Sequence, residues 1–472
     1  MTTADRTTSH QPRAAARSLK AALPSLAVLA LAAACAEPPA ARAPAPAPGA
    51  RAATTAAVAT RPGPLAPLLA EVSPARMRAS IDRLVAFGTR HTLSDTASAT
   101  RGIGAAREWI RRDFAESPRL QVSFDRHVQP ADGARIPRDT EVVNVVAVLP
   151  GAMPAAAGRR YYVMGHYDSR VADVMDATSD APGANDDGSG VAVVLELARV
   201  MSRRSYDATI VFMANAGEEQ GLYGAKLHAK AAHEQHLDIR GVLNDDIVGD
   251  PSDPAGGTHD RAIRVFSGGL PTAATPEEIA QIRKLGGESD APSRELARFV
   301  AEVARAEHTE IEPTLVFRYD RFLRGGDHLP FVDEGYPGVR FTTVAETFAR
   351  QHAPADQAKF VDADYLARVA RLEAAVLAHL ANAPSSPPRA VVVTAELQSD
   401  TSLRWEASPE PDVAGYEVVW RRTTSPEWEQ SKDVGPQLSA RVPVSKDDVF
   451  FGVRAYDKDG NRSPVTFTGT AR

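Results

Sequence analysis

From Leu120 to Val344 the chain alternates short stretches rich in Val, Ile, Phe and Tyr with longer stretches of helical apolar spacing, and this rhythm restricts the fold more than any other feature. "LQVSFDRHV", "EVVNVVAVLPG", "RRYYVMGHYDS", "DATIVFMANAGEE", "IRGVLNDDIVG", "TLVFRYD" and "GVRFTTV" read as strands. "SGVAVVLELARVMSR", "YGAKLHAKAAHEQ" and "APSRELARFVAEVARA" read as helices between them. Upstream, "SPARMRASIDRLVAFG", with Ser73 as N-cap and Pro74 at the first helical position, and "GIGAAREWIRRDFAE" are helical; "DADYLARVARLEAAVLAHL" closes the series. Strands alternating with helices predict an α/β fold with a mixed, mostly parallel central sheet flanked by helices. Ligands of such sheets bind beyond the carboxyl ends of the strands.

The ends of those predicted strands carry the chemistry. "GHYDS" sets His166 and Asp168 two apart, so they share a face of an extended chain. "PGANDDGSG" places Asp186 and Asp187 side by side among small residues before a helix. "AGEEQG" ends the next strand with Glu218 and Glu219, and "LNDDIVG" ends another with Asp245 and Asp246. "GGDHLPF" (Asp327, His328) and "RQHAPAD" (His352) follow. Any one acidic pair is commonly a solvated loop, and a lone histidine is more often structural than a ligand. Taken together, they would converge at one edge of a parallel sheet, and so many carboxylates cannot ionise in one cleft without cations. Two imidazoles among carboxylates suit zinc, and the single cysteine, Cys35, lies far upstream.

In this order the motifs resemble the secreted double-zinc aminopeptidases of bacteria, a zinc exopeptidase family related to glutamate carboxypeptidase and glutaminyl cyclase. The resemblance spans roughly Ser73 to Leu380 and implies two zinc ions per chain. It implies metal ligation by His166, Asp186, Glu219, Asp246 and His352, with Asp186 bridging both ions. It implies that Glu218 is the general base and that Asp168 fixes the His166 ring. Asp327 and His328 would line the substrate pocket, and Arg324 and Gln351 are further candidates for substrate contact. Gln351 and Ala353 flank His352 where the family commonly has Tyr and Thr. The family pattern also implies a cis peptide between Asp186 and Asp187.

The expected activity is a metallo-aminopeptidase that removes N-terminal residues from peptides, with the free amine held by Glu218 and Asp246. Alternatives are a glutamate carboxypeptidase-like enzyme, kept open by Arg321 and Arg324, a glutaminyl cyclase-like enzyme, disfavoured by the intact His166, and an inactive binding protein. Nucleic acid is not an expected partner: of the net charge of −6, the first 67 residues carry +5 and the remainder about −11, with no basic surplus for phosphates.

The flanks read as separate modules. Residues 1–35 form a basic, then apolar export signal ending in "LAAAC", which resembles a lipobox and predicts membrane attachment through lipidated Cys35 at an outer membrane or cell surface, or else plain secretion. Residues 36–67 are an Ala/Pro-rich tether, residues 68–383 the exopeptidase domain and residues 389–472 a small all-β sandwich. The last resembles a fibronectin type III domain, with Trp405 as its buried tryptophan and Val449 where the tyrosine corner would stand, and implies a role in binding a surface, polymer or protein.

Overall fold

The computed structural model describes residues 63–395 and 397–471. The expected signal, Cys35 and most of the tether lie outside them. The tether was expected to reach Pro67, but helix α1 (Ala66–Leu69) has already begun there. The Leu65 amide donates to Glu307 at 3.1 Å, and Leu68 and Leu69 are buried, so apolar contact ends the Ala/Pro-rich stretch early.

The central sheet has eight strands: β1 (Gln121–Gln129), β2 (Thr140–Leu149), β3 (Arg159–His166), β4 (Thr209–Asn215), β5 (Asp238–Asp245), β6 (Ala262–Phe266), β7 (Glu312–Val316) and β8 (Gly338–Thr343). They lie in the order β1-β2-β4-β3-β5-β8-β6-β7. The four central strands, β4, β3, β5 and β8, are mutually parallel. The pairs β1–β2, β2–β4 and β8–β6 are antiparallel. The carboxyl ends of the parallel strands therefore share one edge, as the sequence predicts.

Helices α2 (Pro74–Val85), α3 (Gly102–Ala115), α4 (Gly188–Met201), α5 (Tyr223–Glu234), α6 (Pro276–Lys284), α7 (Pro292–Ala306), α8 (His328–Asp333) and α9 (Ala363–Asn382) complete this part. Strand β3 shows how the pleat divides the core. Tyr161 and Val163 face one cluster with residues of α2, α3, α4, α7 and α9, while Tyr162 and Met164 face another with α5 and Phe331 of α8. Helix α4 is buried nearly all round because it lies between the sheet and other helices, which explains its almost wholly apolar sequence. Ser73 caps α2 by accepting from the Arg76 amide at 3.3 Å, with Pro74 in the first turn.

After α9, strands β9 (Val391–Val393), β10 (Thr401–Arg404), β11 (Val413–Arg422), β12 (Gln430–Gly435), β13 (Ser439–Val442), β14 (Val449–Asp457), β15 (Thr466–Phe467) and β16 (Gly469–Ala471) form two four-stranded sheets. Trp405 and Tyr416 pack together between them with ring centroids 5.8 Å apart. Tyr416 also accepts from the Ser408 amide at 3.1 Å, tying strand β11 to the preceding loop.

Buried charge joins these sheets to the α/β part. Arg159, at the start of β3, donates to Glu410 at 2.7 Å and Ser385 at 2.8 Å. Glu295 of α7 accepts from the Trp428 indole at 3.0 Å and the Val465 amide at 2.9 Å.

Candidate functional site

The site is built at the carboxyl ends of β3, β4 and β5. His166 is the last residue of β3, Glu218 and Glu219 follow β4 after a short turn, and Asp246 follows β5 directly. Asp186 and Asp187 stand in the loop entering α4, and the peptide between them is cis. His352 reaches in from the loop between β8 and α9.

Two groups of side chains meet there, His166 with Asp186 and Asp246, and Asp186 with Glu219 and His352, so Asp186 belongs to both. One Asp186 oxygen is 3.3 Å from His166 Nε2 and the other is 3.2 Å from His352 Nε2. Glu219 lies 3.3 Å from His352 Nε2, and Asp246 lies 3.9 Å from His166 Nε2. Ligands bound to zinc at about 2.0–2.1 Å around a tetrahedron stand about 3.3 Å apart, so three of these four spacings fit a metal between the atoms. His166 Nε2 is buried without a hydrogen-bond partner, as an unused ligand atom would be; so is Glu219 Oε1, while the Oε2 that faces His352 accepts from Arg170 at 2.7 Å. The residues present therefore fit zinc. Among the described residues a third group, Asp125, His127 and His228, lies on β1 and α5. There His228 Nδ1 meets Asp125 at a hydrogen-bond distance of 2.9 Å.

The electrostatics agree with cation binding. Burial, and then the neighbouring carboxylates Asp246, Glu219 and Asp327, push Glu218 well above the usual carboxylate range. Burial and Asp186 push Glu219 up to about 7. Burial opposes the charging of His166, yet Glu218, Asp168, Asp186 and Asp246 together raise it well above an ordinary imidazole. Cations among these groups would relieve the repulsion.

A set of residues outside the two groups fixes the ligands. Asp168 accepts from the backbone amides of Glu218 at 3.3 Å and Glu219 at 3.2 Å, and from the Thr92 hydroxyl. His166 Nδ1 meets the backbone carbonyl of Asp168 at 3.1 Å, whereas the Asp168 carboxylate stands 3.6 Å away. The ring is thus oriented chiefly by the carbonyl, and the carboxylate holds the glutamate loop. Asp356 accepts from the Asp186 amide at 2.9 Å. Arg340, fully buried, pairs with the outer oxygen of Asp246 at 2.8 Å. Arg90, also fully buried, donates to the carbonyls of Tyr167, Pro182 and Gly183 and so braces the loop before Asp186.

A cavity of about 310 Å³ opens over the ligands, lined by Glu218, Asp186, Asp246, His352 and four arginines, Arg135, Arg170, Arg321 and Arg324. Of the residues expected to touch substrate, Arg324 lines this cavity, and Gln351 lies beside it, accepting from Arg324 at 3.1 Å. Asp327 and His328 do not line it. Helix α8 starts at this point and turns both inward: Asp327 accepts from Asn215 at 2.9 Å, and His328 Nε2 meets the Tyr319 carbonyl at 2.7 Å. Asp245, beside Asp246, is fully buried next to Glu373. Arg170, Arg340, Glu346 and Asp356 were not legible as functional residues, although Arg170 directly follows "GHYDS" and Asp356 ends "RQHAPAD".

The family model described as peptidase family M28 matches residues 144–377. A probable zinc metalloprotease of Pyricularia oryzae is 46% identical over 418 residues, covering 84% of this chain and 83% of the relative. One from Leptosphaeria maculans is 44% identical over 425 residues, covering 86% of this chain and 98% of the relative. These relatives are fungal, where the resemblance of motifs had pointed to bacterial enzymes. Among solved structures, an aminopeptidase from Aneurinibacillus sp. strain AM-1 aligns with a TM-score of 0.47 at 15% identity, over 67% of this chain and 95% of that one. LapB from Legionella pneumophila aligns with a TM-score of 0.48 at 18% identity, over 66% and 72%. The sequence relatives decide the matter: this chain belongs to peptidase family M28 and is a zinc metalloprotease.

Proposed function

We propose that the chain is a two-zinc exopeptidase that removes N-terminal residues from peptides. The observation that carries this reading is the position of Asp186, which offers one oxygen toward His166 and the other toward His352. One site then consists of His166, Asp186 and Asp246, and the other of Asp186, Glu219 and His352. Zinc held there supplies a water of lowered pKa and polarises the scissile carbonyl.

Glu218 does the proton work. It lines the cavity beside Asp186 and Asp246 but belongs to neither ligand group, so its carboxylate is left to take a proton from the attacking water and hand it to the leaving amine. Asp168 keeps Glu218 and Glu219 in register through their backbone amides. Glu218 and the free edge of Asp246 are the groups that would receive an α-ammonium. We read residues 389–472 as a fibronectin type III-like module that positions the enzyme, and Cys35 as the point of membrane attachment of an exported protein.

The test is a metal count with a matched substrate series. Two zinc equivalents per chain are expected. Leu-Ala-Ala should be hydrolysed from its amino end and N-acetyl-Leu-Ala-Ala should not. Glu218→Gln should keep both zinc ions and lose about 10²–10⁴-fold in kcat, the usual scale of a general base. Equal cleavage of the blocked peptide would rule out an aminopeptidase, and activity indifferent to chelators would rule out the zinc mechanism.

A further inference from the structure

A second place in the molecule gathers metal-binding residue types, apart from the cleft. Asp125 and His127 stand two apart on β1 and so share a face of that strand, and His228 of α5 meets them there. The group shares no residue with the two around Asp186. His127 Nε2 lies 2.9 Å from one oxygen of Asp125, and His228 Nδ1 lies 2.9 Å from the other. The first of these contacts is not a hydrogen bond: His127 Nε2 is buried without a hydrogen-bond partner although the oxygen is within reach, so direction and not distance fails. Ligand atoms stand in this relation, because both face an ion and not each other. Donors about 2.1 Å from an ion and at a right angle to one another are about 3.0 Å apart, so both spacings admit an ion held by the carboxylate and the two rings.

The surroundings suit a ligand set. A metal-bound imidazole gives its other N–H to an oxygen, and a metal-bound carboxylate accepts hydrogen bonds of its own. Here the Tyr162 hydroxyl lies 3.3 Å from His228 Nε2, and the Asn144 amide donates to Asp125 at 2.8 Å. Binding an ion displaces the proton that His228 Nδ1 shares with Asp125, and the neutral ring then carries its proton on Nε2, toward Tyr162. The rings of Tyr162 and Phe331, with centroids 5.6 and 5.9 Å away, hold the imidazole in place. The side chains of Asp125, His127 and His228 are 24, 20 and 14% exposed, which leaves a solvent side for entry and for water ligands.

We infer that Asp125, His127 and His228 form a further metal site, for zinc or another divalent ion that prefers imidazole, and that the bound ion ties β1 to α5. Two imidazoles with one carboxylate disfavour magnesium and calcium, which take oxygen ligands. Strand β1 gains most from such a tie, since it is the edge of the sheet and none of its residues is fully buried. Each group around Asp186 has two carboxylates and this one has a single carboxylate, so it holds its ion less tightly than the cleft and fills only in the presence of free zinc. The inference does not rest on the two-zinc reading of the cleft.

The test is a difference in zinc content. Full-length wild type, His228→Ala and His127→Gln are brought to equilibrium by dialysis against micromolar free zinc, and bound metal is counted by atomic emission. Wild type should hold one equivalent more than either variant, and the subtraction removes whatever the cleft binds. Raising free zinc through this range should also raise the melting temperature of wild type more than that of the variants. Should His228→Ala fail to fold, His127→Gln decides, since its side chain lies on the edge strand. Equal counts in wild type and the folded variants overturn the site and leave a hydrogen bond between Asp125 and His228. A count lower by one with an equal rise in melting temperature overturns the tie between β1 and α5. Neither result depends on whether the cleft takes two zinc ions or cleaves peptides.

Discussion

Substituting Asp187, the neighbour of the aspartate shared by both metal-ligand groups, tests how those groups are held. Asp187 is fully buried and accepts from three backbone amides: Gly190 at 2.8 Å, His166 at 3.1 Å and Ile247 at 3.3 Å. Those amides belong to the first turn of α4, to His166 at the end of β3 and to the residue after Asp246. Oδ1 serves Gly190 and Ile247, and Oδ2 serves His166. Asp187→Asn can keep Oδ1 in place but turns an NH2 group toward the His166 amide, so one buried donor loses its acceptor. That costs about 1–3 kcal/mol. Asp187→Ala orphans all three donors and removes the cap of α4. At about 1 kcal/mol or more for each buried donor, the loss is about 3–6 kcal/mol. Urea unfolding of the zinc-loaded proteins should rank them wild type, Asn, Ala. Zinc retention against a graded chelator should fall in the same order, because the His166 backbone loses its anchor before the ligand atoms are touched. If Asp187→Ala unfolds and releases zinc as wild type does, the anchoring argument is refuted.

Two further outcomes concern the joint between the α/β part and the C-terminal sheets. Arg159→Met strands the Glu410 carboxylate, whose side chain is 2% exposed, and should cost about 3–5 kcal/mol in unfolding free energy, most of it recovered by adding Glu410→Gln. Burial raises Glu295 from 4.5 to about 7, so the fold binds its proton more tightly than the unfolded chain does. The stability from this group is complete below pH 4.5 and is lost as pH rises to about 7, up to about 3 kcal/mol. Comparing melting temperatures of wild type and Glu295→Gln across that window should show the wild type alone carrying this downward slope.

The strands and most helices were legible because each buries a face of fixed period. Strand β6 was not: its "AIRVF" is five residues long and lies between loops. Helix α6 carries a complete capping box, Thr275 with Glu278, and Pro276 in its first turn, but buries no residue. A reading that relies on an apolar stripe passes over it. At the site, ligand types announced themselves at strand ends, and the parallel core brought His166, Asp186, Glu219 and Asp246 together. Asp327 and His328 looked equally suited to a pocket, yet their direction depends on where α8 begins, which spacing does not encode. Apart from Arg321 and Arg324, the arginines at the site were the least legible. Arg90, Arg170 and Arg340 follow no periodicity, and their meaning lies in partners 182 and 94 positions away, as with His352 and the Asp246 carbonyl.

The three acidic doublets make physical sense as divided labour. Adjacent residues point apart, so in each doublet one carboxylate reaches a metal-ligand group and its neighbour does not. Asp187 turns to backbone amides, Glu218 stays in the cavity, and Asp245 turns inward against Glu373, where burial and the paired acid raise it well above its usual range. Glu373 is itself pushed up to about 7, which suits a pair holding a proton between them and adds less negative charge behind the metal-ligand groups than two free carboxylates would. The non-ligand carboxylates Asp168, Asp187 and Asp356 form a second layer, each accepting from an amide at or next to a ligand. The positions of these residues are thereby set through the backbone, in addition to the side-chain pairs of Arg340 with Asp246 and Arg170 with Glu219. Asp168, Asp187 and Asp356 do not line the cavity, whose walls carry the four arginines Arg135, Arg170, Arg321 and Arg324 instead.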